Sequence, residues 1–275
     1  MNVAGALLLG YLIGSGPAVS EVEQGVSAGI RDYLGLPESC EVVTTLQLES
    51  RGNLVTGTIE AAQVDLHDVD LGILQLPPGV GVAAPEGNLR GRVEKLTVNL
   101  HRPTADGFAI ERLSFVVAPV EFNLGKLMAR GGLSVTSAGS AEAEIVIDPR
   151  EVAHYIDSRS DSLKEVELDL VGDREVTLRG RVGLGILSPS VEVSGRLEIT
   201  ARGIEIAGPR VRFAGLPVPA FVTDRIMKDI NPIFAVGEGS FLGDIVLPRS
   251  LAFEEGKVII RGGGNMPFLP APAGR

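Results

Sequence analysis

The sequence predicts an α+β protein in which antiparallel β-strands dominate, and three observations carry that expectation. After Val93, apolar residues recur two apart in Leu96, Val98 and Leu100, then in Phe108 and Ile110 and in Leu113, Phe115 and Val117, and again in the pairs Val191/Val193 and Leu197/Ile199. Successive strand side chains point to opposite faces, so this spacing marks half-buried strands. Glycine and proline, 35 and 17 residues of the chain, punctuate the runs at turn-like intervals. Only three segments have helical spacing, against about a dozen strand-like runs. A sheet face that so few helices cannot cover needs another apolar partner, either a second sheet or a lipid.

Taken in order, the first helix is expected to open at Ser20, where Ser20 and Glu23 have capping-box spacing. Val22, Val26, Ile30, Tyr33 and Leu34 form its apolar side, and Gly35 and Pro37 end it. Strands follow around 41–48 and 54–66. A connection rich in proline and glycine, residues 77–87, leads to strands at 91–101 and 107–118. Phe122 to Met128 fits either a strand end or a helical turn. Asp148-Pro149-Arg150-Glu151 signals a second, short helix ending near Arg159, with Asp as N-cap and Pro at the first helical position. Four or more strands run from 163 to 214. Pro217 and Pro219 introduce a third helix with Phe221, Ile226, Ile230 and Phe234 on one side, and Pro232 closes it. Strand residues near 245–253, a turn at Glu254-Glu255-Gly256 and the strand Lys257 to Arg261 read as a hairpin.

Composition bounds the function. The 25 basic and 35 acidic residues leave a formal charge of −10, which argues against a nucleic-acid partner and against purely electrostatic adhesion to anionic membranes. Aromatic content is 4% with no tryptophan, so stacking platforms for bases or sugars are scarce and the interior is aliphatic. The lone Cys40 forms no internal disulfide and reads as a small buried apolar residue. Residues 3–14 are an unbroken apolar stretch, too short to span a bilayer, which needs about 20 residues. The stretch resembles a signal-peptide core followed by small residues at Gly16, Ala18 and Ser20, but lacks the basic residues that normally precede one. The expected organisation is thus an N-terminal apolar or signal segment over 1–20, one β-rich domain over 21–262 and a disordered tail over 263–275.

Motifs for chemistry are sparse. Gly25-Val26-Ser27-Ala28-Gly29 fits G-x-S-x-G, yet it falls inside an amphipathic helix with no buried strand before it, so no nucleophile is expected at Ser27. Gly79 to Ala84 fits G-x-G-x-x-A, but flanking prolines and the lack of a following helix make it a loop. His67, His101 and His154 have no metal-ligand spacing, and Asp65, Asp68 and Asp70 lack the glycine and terminal glutamate of a calcium loop. No catalytic residue, metal or cofactor is predicted. The pairs Arg90/Arg92, Arg179/Arg181 and Arg210/Arg212 each share one strand face. Such a pair is either a solvated face or, through bidentate guanidinium contacts, a holder of phospholipid headgroups.

The C-terminal block Leu216-Pro217-Val218-Pro219, the helix ending Ile230-Asn231-Pro232-Ile233-Phe234, Leu247-Pro248 and the Glu254 to Ile260 hairpin resembles the LmeA-like phospholipid-binding family. Phe122 to Leu127, the Gly131-Gly132-Leu133 turn and the strand Ala141 to Ile147 are similar to its central segment, and the Ser20 helix to its opening one. The resemblance covers about residues 20–262 and contains no catalytic signature. It implies the tubular lipid-binding architecture, related to bactericidal/permeability-increasing protein, in which a highly curved antiparallel sheet wraps one or more helices around an apolar groove.

On that reading the chain is a non-enzymatic phospholipid- or acyl-lipid-binding or transfer module of a bacterial cell envelope, periplasmic or otherwise extracytoplasmic, with transient membrane contact. Phe115, Val117, Phe122, Leu127, Ile226, Ile230 and Phe234 are the expected lining, although each taken singly suits a filled core better. The alternative is a β-sandwich or barrel scaffold that binds a protein partner in the envelope.

Overall fold

In a computed structural model of the protein the described residues are 19–48, 56–73, 90–105, 107–124, 135–160, 163–183, 188–235 and 246–264. The apolar stretch 3–14, the glycine-rich loop at 79–84 and the expected tail beyond Gly264 lie outside them. The chain forms two compact units. The first draws on 1–103, 113–143 and 264–275, and the second on 104–112 and 144–263.

The first unit opens with helix α1 (Val19–Leu34), followed by β1 (Val42–Gln47), β2 (Thr58–His67), a 3-10 turn at Leu71–Ile73 and β3 (Arg90–His101). After the short strands β4 (Thr104–Ala105) and β5 (Phe108–Ala109), which pair with each other in the second unit, come β6 (Arg112–Asn123) and β7 (Val135–Ile147). Within the first unit the strand order is β1-β2-β3-β6-β7. Alternation does what the sequence predicts: Ala62, Val64 and Leu66 of β2 and Val98 and Leu100 of β3 are buried.

Helix α1 covers the free edge of β1. Glu23 Oε1 accepts the Leu46 N–H at 2.8 Å, and Ser27 Oγ accepts the Thr44 N–H at 3.0 Å while donating to the Glu23 carbonyl at 2.9 Å. Two edge donors that would otherwise face water or another chain are thereby satisfied. Glu23 serves this edge, although its spacing from Ser20 suits a capping box.

Two features differ from the expected antiparallel run of strands. β2 and β3 pair in parallel, from Thr58 opposite Arg92 to His67 opposite His101. More than twenty residues separate them, enough for the chain to return to the same end of the sheet. The expected strand 107–118 is broken at Ile110–Glu111, and β6 then runs through Pro119 to Asn123. Leu113, Phe115 and Val117 are buried, Ala118 and Pro119 are not, and burial resumes one residue out of phase at Val120 and Phe122. Proline removes a donor and normally marks a strand's end, but this shift lets the strand continue as a bulge does. Gly139 makes room for it, since a Cβ there would lie 2.1 Å from the Ala118 carbonyl oxygen.

The second unit contains α2 (Pro149–Arg159), β8 (Leu163–Val171), β9 (Glu175–Val182), β10 (Ser190–Thr200), β11 (Gly203–Phe213), β12 (Leu216–Pro217), α3 (Ala220–Ile230), β13 (Phe234–Ala235), β14 (Val246–Glu254) and β15 (Lys257–Gly264). The antiparallel meander β8-β9-β10-β11-β12 is one sheet, with β13 paired to β11. The last residues of β7, then β15 and β14, lie side by side in another. α2 starts as its sequence predicts, with Asp148 Oδ1 accepting the Arg150 N–H at 2.9 Å and Pro149 in the first turn. The β14–β15 hairpin turns at Glu255 and Gly256, whose φ values of 50° and 73° suit a two-residue hairpin loop.

α3 departs from its expected apolar side. Ile226, Met227 and Ile230 are buried, Phe221 is exposed, and Phe234 lies beyond the helix in β13. Five residues at 3.6 per turn place Phe221 about 140° around the helix from Ile226, so the two cannot share a face.

Candidate functional site

The strongest candidate site lies in the second unit and is built from alternate residues of several strands. Ile145 and Ile147 of β7, Ile260 of β15, Val246 and Pro248 of β14, Ile204 of β11 and Phe234 and Ala235 of β13 enclose a cavity of about 20 Å³ with wholly apolar walls. Its floor is buried, whereas Phe234 and Pro248 are half-buried and Ala235 is exposed, so these three form its mouth. That volume holds about one water, and the walls offer a water no polar partner.

Period-two alternation puts Ile145 and Ile147 on the cavity face and Glu144 on the other. There Glu144 accepts from Arg112 at 3.0 Å and Arg261 at 2.8 Å, while Arg261 also forks onto Glu254 at 2.7 and 3.0 Å. The hydrogen bonds to Glu254 and then Glu144 raise the Arg261 pKa further above its ordinary value.

Of the seven residues expected to line a groove, Phe234 stands in this wall. Its ring meets Phe108 edge-on at 4.9 Å, and Phe108 meets Tyr155 in the same way at 5.1 Å. Ile226 and Ile230 are buried on α3 in the same unit. Phe115, Val117 and Phe122 belong to β6 in the first unit and are buried there. The Phe122 ring fills the space left by a glycine, since a Cβ on Gly91 would fall 2.2 Å from its Cζ. Leu127 lies outside the described residues. Ile145 and Ile147 were legible as a strand, but nothing in the sequence shows that Ile204, Val246, Pro248 and Ile260 meet them.

Just beyond α3, the Asn231 side chain acts as a strand residue would. It accepts the Ile206 N–H and donates to the Ile206 carbonyl, both at 3.0 Å. The Ile233 N–H bonds the Ile204 carbonyl at 2.9 Å, and Phe234 and Ala235 pair with Ile204 and Gly203. Asn231 therefore fixes the segment that carries the cavity mouth, and only its place in the Asn231-Pro232 motif hinted at such a role.

Most of the remaining polar candidates have structural partners, while His154 is exposed on α2. Ser27 is committed to α1 and β1. Cys40 is buried and donates to the His67 carbonyl at 3.2 Å, and burial pushes its thiol pKa up, away from reactive thiolate. The parallel register stacks the His67 and His101 rings 4.5 Å apart. Asp65 lies 3.2 Å from His101 Nε2 and accepts from Asn99 and Gln63. Burial alone would raise the Asp65 pKa, but the three side-chain hydrogen bonds outweigh it and hold the carboxyl below its ordinary value. Among the described residues no cluster of His, Cys, Asp and Glu could hold a metal ion. No helix among them is long and apolar enough to cross a membrane.

The arginine pairs are mostly matched by carboxylates. Arg92 pairs with Glu94 at 2.7 Å, Arg181 with Glu165 at 3.1 Å, and Arg179 with Asp169 and Glu192. Arg212 approaches Glu192 only to 4.0 Å.

No curated protein and no solved structure matched the chain significantly. The family model described as LmeA-like phospholipid-binding matches residues 82–263, which take in the described strands from β3 into β15 and every wall of the apolar cavity. With about two-thirds of its length so matched, the chain belongs to the LmeA-like phospholipid-binding family.

Proposed function

We propose that the protein binds phospholipid without transforming it, seating acyl chain against the apolar walls of the second unit, and that it carries or presents lipid in a bacterial cell envelope. The observation that carries this reading is the wholly apolar cavity inside the family-matched region, with a mouth at Ala235, Phe234 and Pro248. A cavity of about 20 Å³ is far smaller than an acyl chain, so occupancy requires the mouth segment to part from β14. Each methylene transferred from water contributes about 0.8 kcal/mol, so some eight methylenes give roughly 6 kcal/mol before the cost of opening. Affinity of that origin discriminates weakly among acyl chains, and selectivity falls to headgroup contacts. Ile226 and Ile230 are proposed as further acyl contacts of the second unit, and Phe115, Val117 and Phe122 as acyl contacts belonging to the first unit by itself.

Ala235→Phe tests the reading, because residue 235 is exposed at the mouth and the larger side chain would plug the entrance. With delipidated protein and a phospholipid bearing a fluorescent acyl chain, the variant should take up markedly less lipid at an unchanged thermal midpoint. Undiminished uptake would move the acyl chain elsewhere. The close fit of Phe122 over Gly91 and the small cavity favour a second reading, a scaffold with a filled interior, and absence of uptake by the unmodified protein would select it.

A further inference from the structure

The core face of the second unit's meander runs out into solvent at one corner. Along one row of paired residues Val191 is buried, its partner Phe213 is half-buried, and Phe213's partner Leu216 is 71% exposed. The chain then passes Pro217 and Pro219 and enters α3, where Phe221 is 73% exposed. Two large apolar side chains five residues apart thus stand in water, held by a turn at Ala214 and Gly215 and by a helix entrance with no side-chain cap. Exposed apolar residues scattered singly need no explanation, but a paired, backbone-fixed tip is a candidate contact surface.

The charge beside the tip indicates what covers it. Phe221, Arg225 and Lys228 are spaced i, i+4 and i+7, so they form one exposed stripe along α3 opposite the buried Ile226 and Ile230. Arg210 and Arg212 are exposed on β11 beside β12, with Arg212 directly opposite Pro217. Asp224 is an exposed carboxylate on the same helix. This basic surround is a local exception on a chain of net charge −10. An aromatic and an aliphatic tip backed by arginine and lysine is the arrangement of an element lying at a lipid–water interface, apolar groups below the headgroups and cations at the phosphates.

We propose that the β11–β12 turn and the entrance of α3, residues 214–221, dock the protein onto an anionic phospholipid bilayer, with Leu216 and Phe221 entering the acyl region and the neighbouring arginines meeting phosphate. This rests on the reading of the chain as a phospholipid carrier and names the surface at which it meets its membrane.

The absence of tryptophan gives a clean test. Phe221→Trp introduces a single indole, and Val171→Trp places one at the end of β8, 46% exposed in the native chain, as a control. On adding vesicles of phosphatidylcholine mixed with phosphatidylglycerol, emission from position 221 should shift to the blue and be quenched by brominated acyl chains, while position 171 should not change. Leu216→Asp combined with Phe221→Asp should weaken vesicle co-sedimentation by on the order of a hundredfold at an unchanged circular dichroism spectrum. An indole at 221 that stays in water, or a double variant that sediments like the unmodified chain, overturns the proposal. If phospholipid uptake from detergent micelles persists in that case, the carrier reading survives. Insertion at 221 by a protein that never takes up lipid would sink the carrier reading and leave the docking surface standing.

Discussion

Removing the side-chain amide of Asn231 should loosen the segment that forms the cavity mouth, and the effect can be sized from the structure. The amide bonds both the N–H and the carbonyl of Ile206, a residue only 2% exposed. Leaving one buried backbone group unpaired costs about 1–3 kcal/mol, and partial access of water at the half-buried Asn231 site lowers the total for two groups to about 2–4 kcal/mol. Asn231→Ala should therefore lower the stability of the second unit by that amount in urea denaturation followed by circular dichroism. The Ile206 amide should exchange its hydrogen on the order of a hundredfold faster, since 1.4 kcal/mol is a factor of ten. Asn231→Asp keeps the acceptor for the Ile206 N–H but turns a carboxylate oxygen toward the Ile206 carbonyl, so it should not rescue. An alanine variant within about 0.5 kcal/mol of the unmodified protein, with Ile206 protection intact, would refute the assignment of Asn231 as the fixing residue.

Other consequences can be checked in parallel. Gly91→Ala must displace the Phe122 ring and should cost about 1–3 kcal/mol by thermal denaturation, whereas Gly29→Ala on α1, with nothing within 4 Å of the added methyl, should stabilise by about 0.5–1 kcal/mol. Ser27→Ala leaves the Thr44 N–H without its acceptor and should destabilise by about 1 kcal/mol with no change in lipid uptake; abolished uptake at full stability would contradict a structural role. The Asp148 carboxyl is held below its ordinary value chiefly by the hydrogen bond from Lys257, against the opposing push of burial, and Asp65 is also depressed. Depressed native carboxyls stabilise the fold above the unfolded value of 3.8, and that contribution is lost as pH falls through the native values. Stability measured against pH should fall below about pH 4, and Asp148→Asn should flatten the fall; an unchanged acid limb would show that Asp148 does not contribute to it.

Local rules carried much of the fold. Asp148-Pro149 set the start of α2, the β14–β15 turn fell where Glu254-Glu255-Gly256 placed it, and four strands filled 163–214. What alternation could not supply was partnership. The parallel pairing of β2 with β3, and the His67–His101 stack it creates, depends on a return path that no local pattern encodes. Glu23 fits a capping box by spacing, yet the edge of β1 offered it a donor twenty-three residues away. Phe221 and Ile226 are alike in size and apolarity, although helical geometry sets them apart, and the exposure of Phe221 is what distinguishes the proposed docking tip. The candidate cavity was legible only through Phe234, since the other walls come from four strands distant in sequence.

The measurement that tests the central claim most directly is native mass spectrometry of the protein purified from its native cells, followed by organic extraction and lipid analysis. A phospholipid carrier should show discrete adducts of phospholipid mass that are released only on denaturation. A protein that flies at its bare mass and also fails to take up added phospholipid would contradict the account and favour a scaffold with a filled interior.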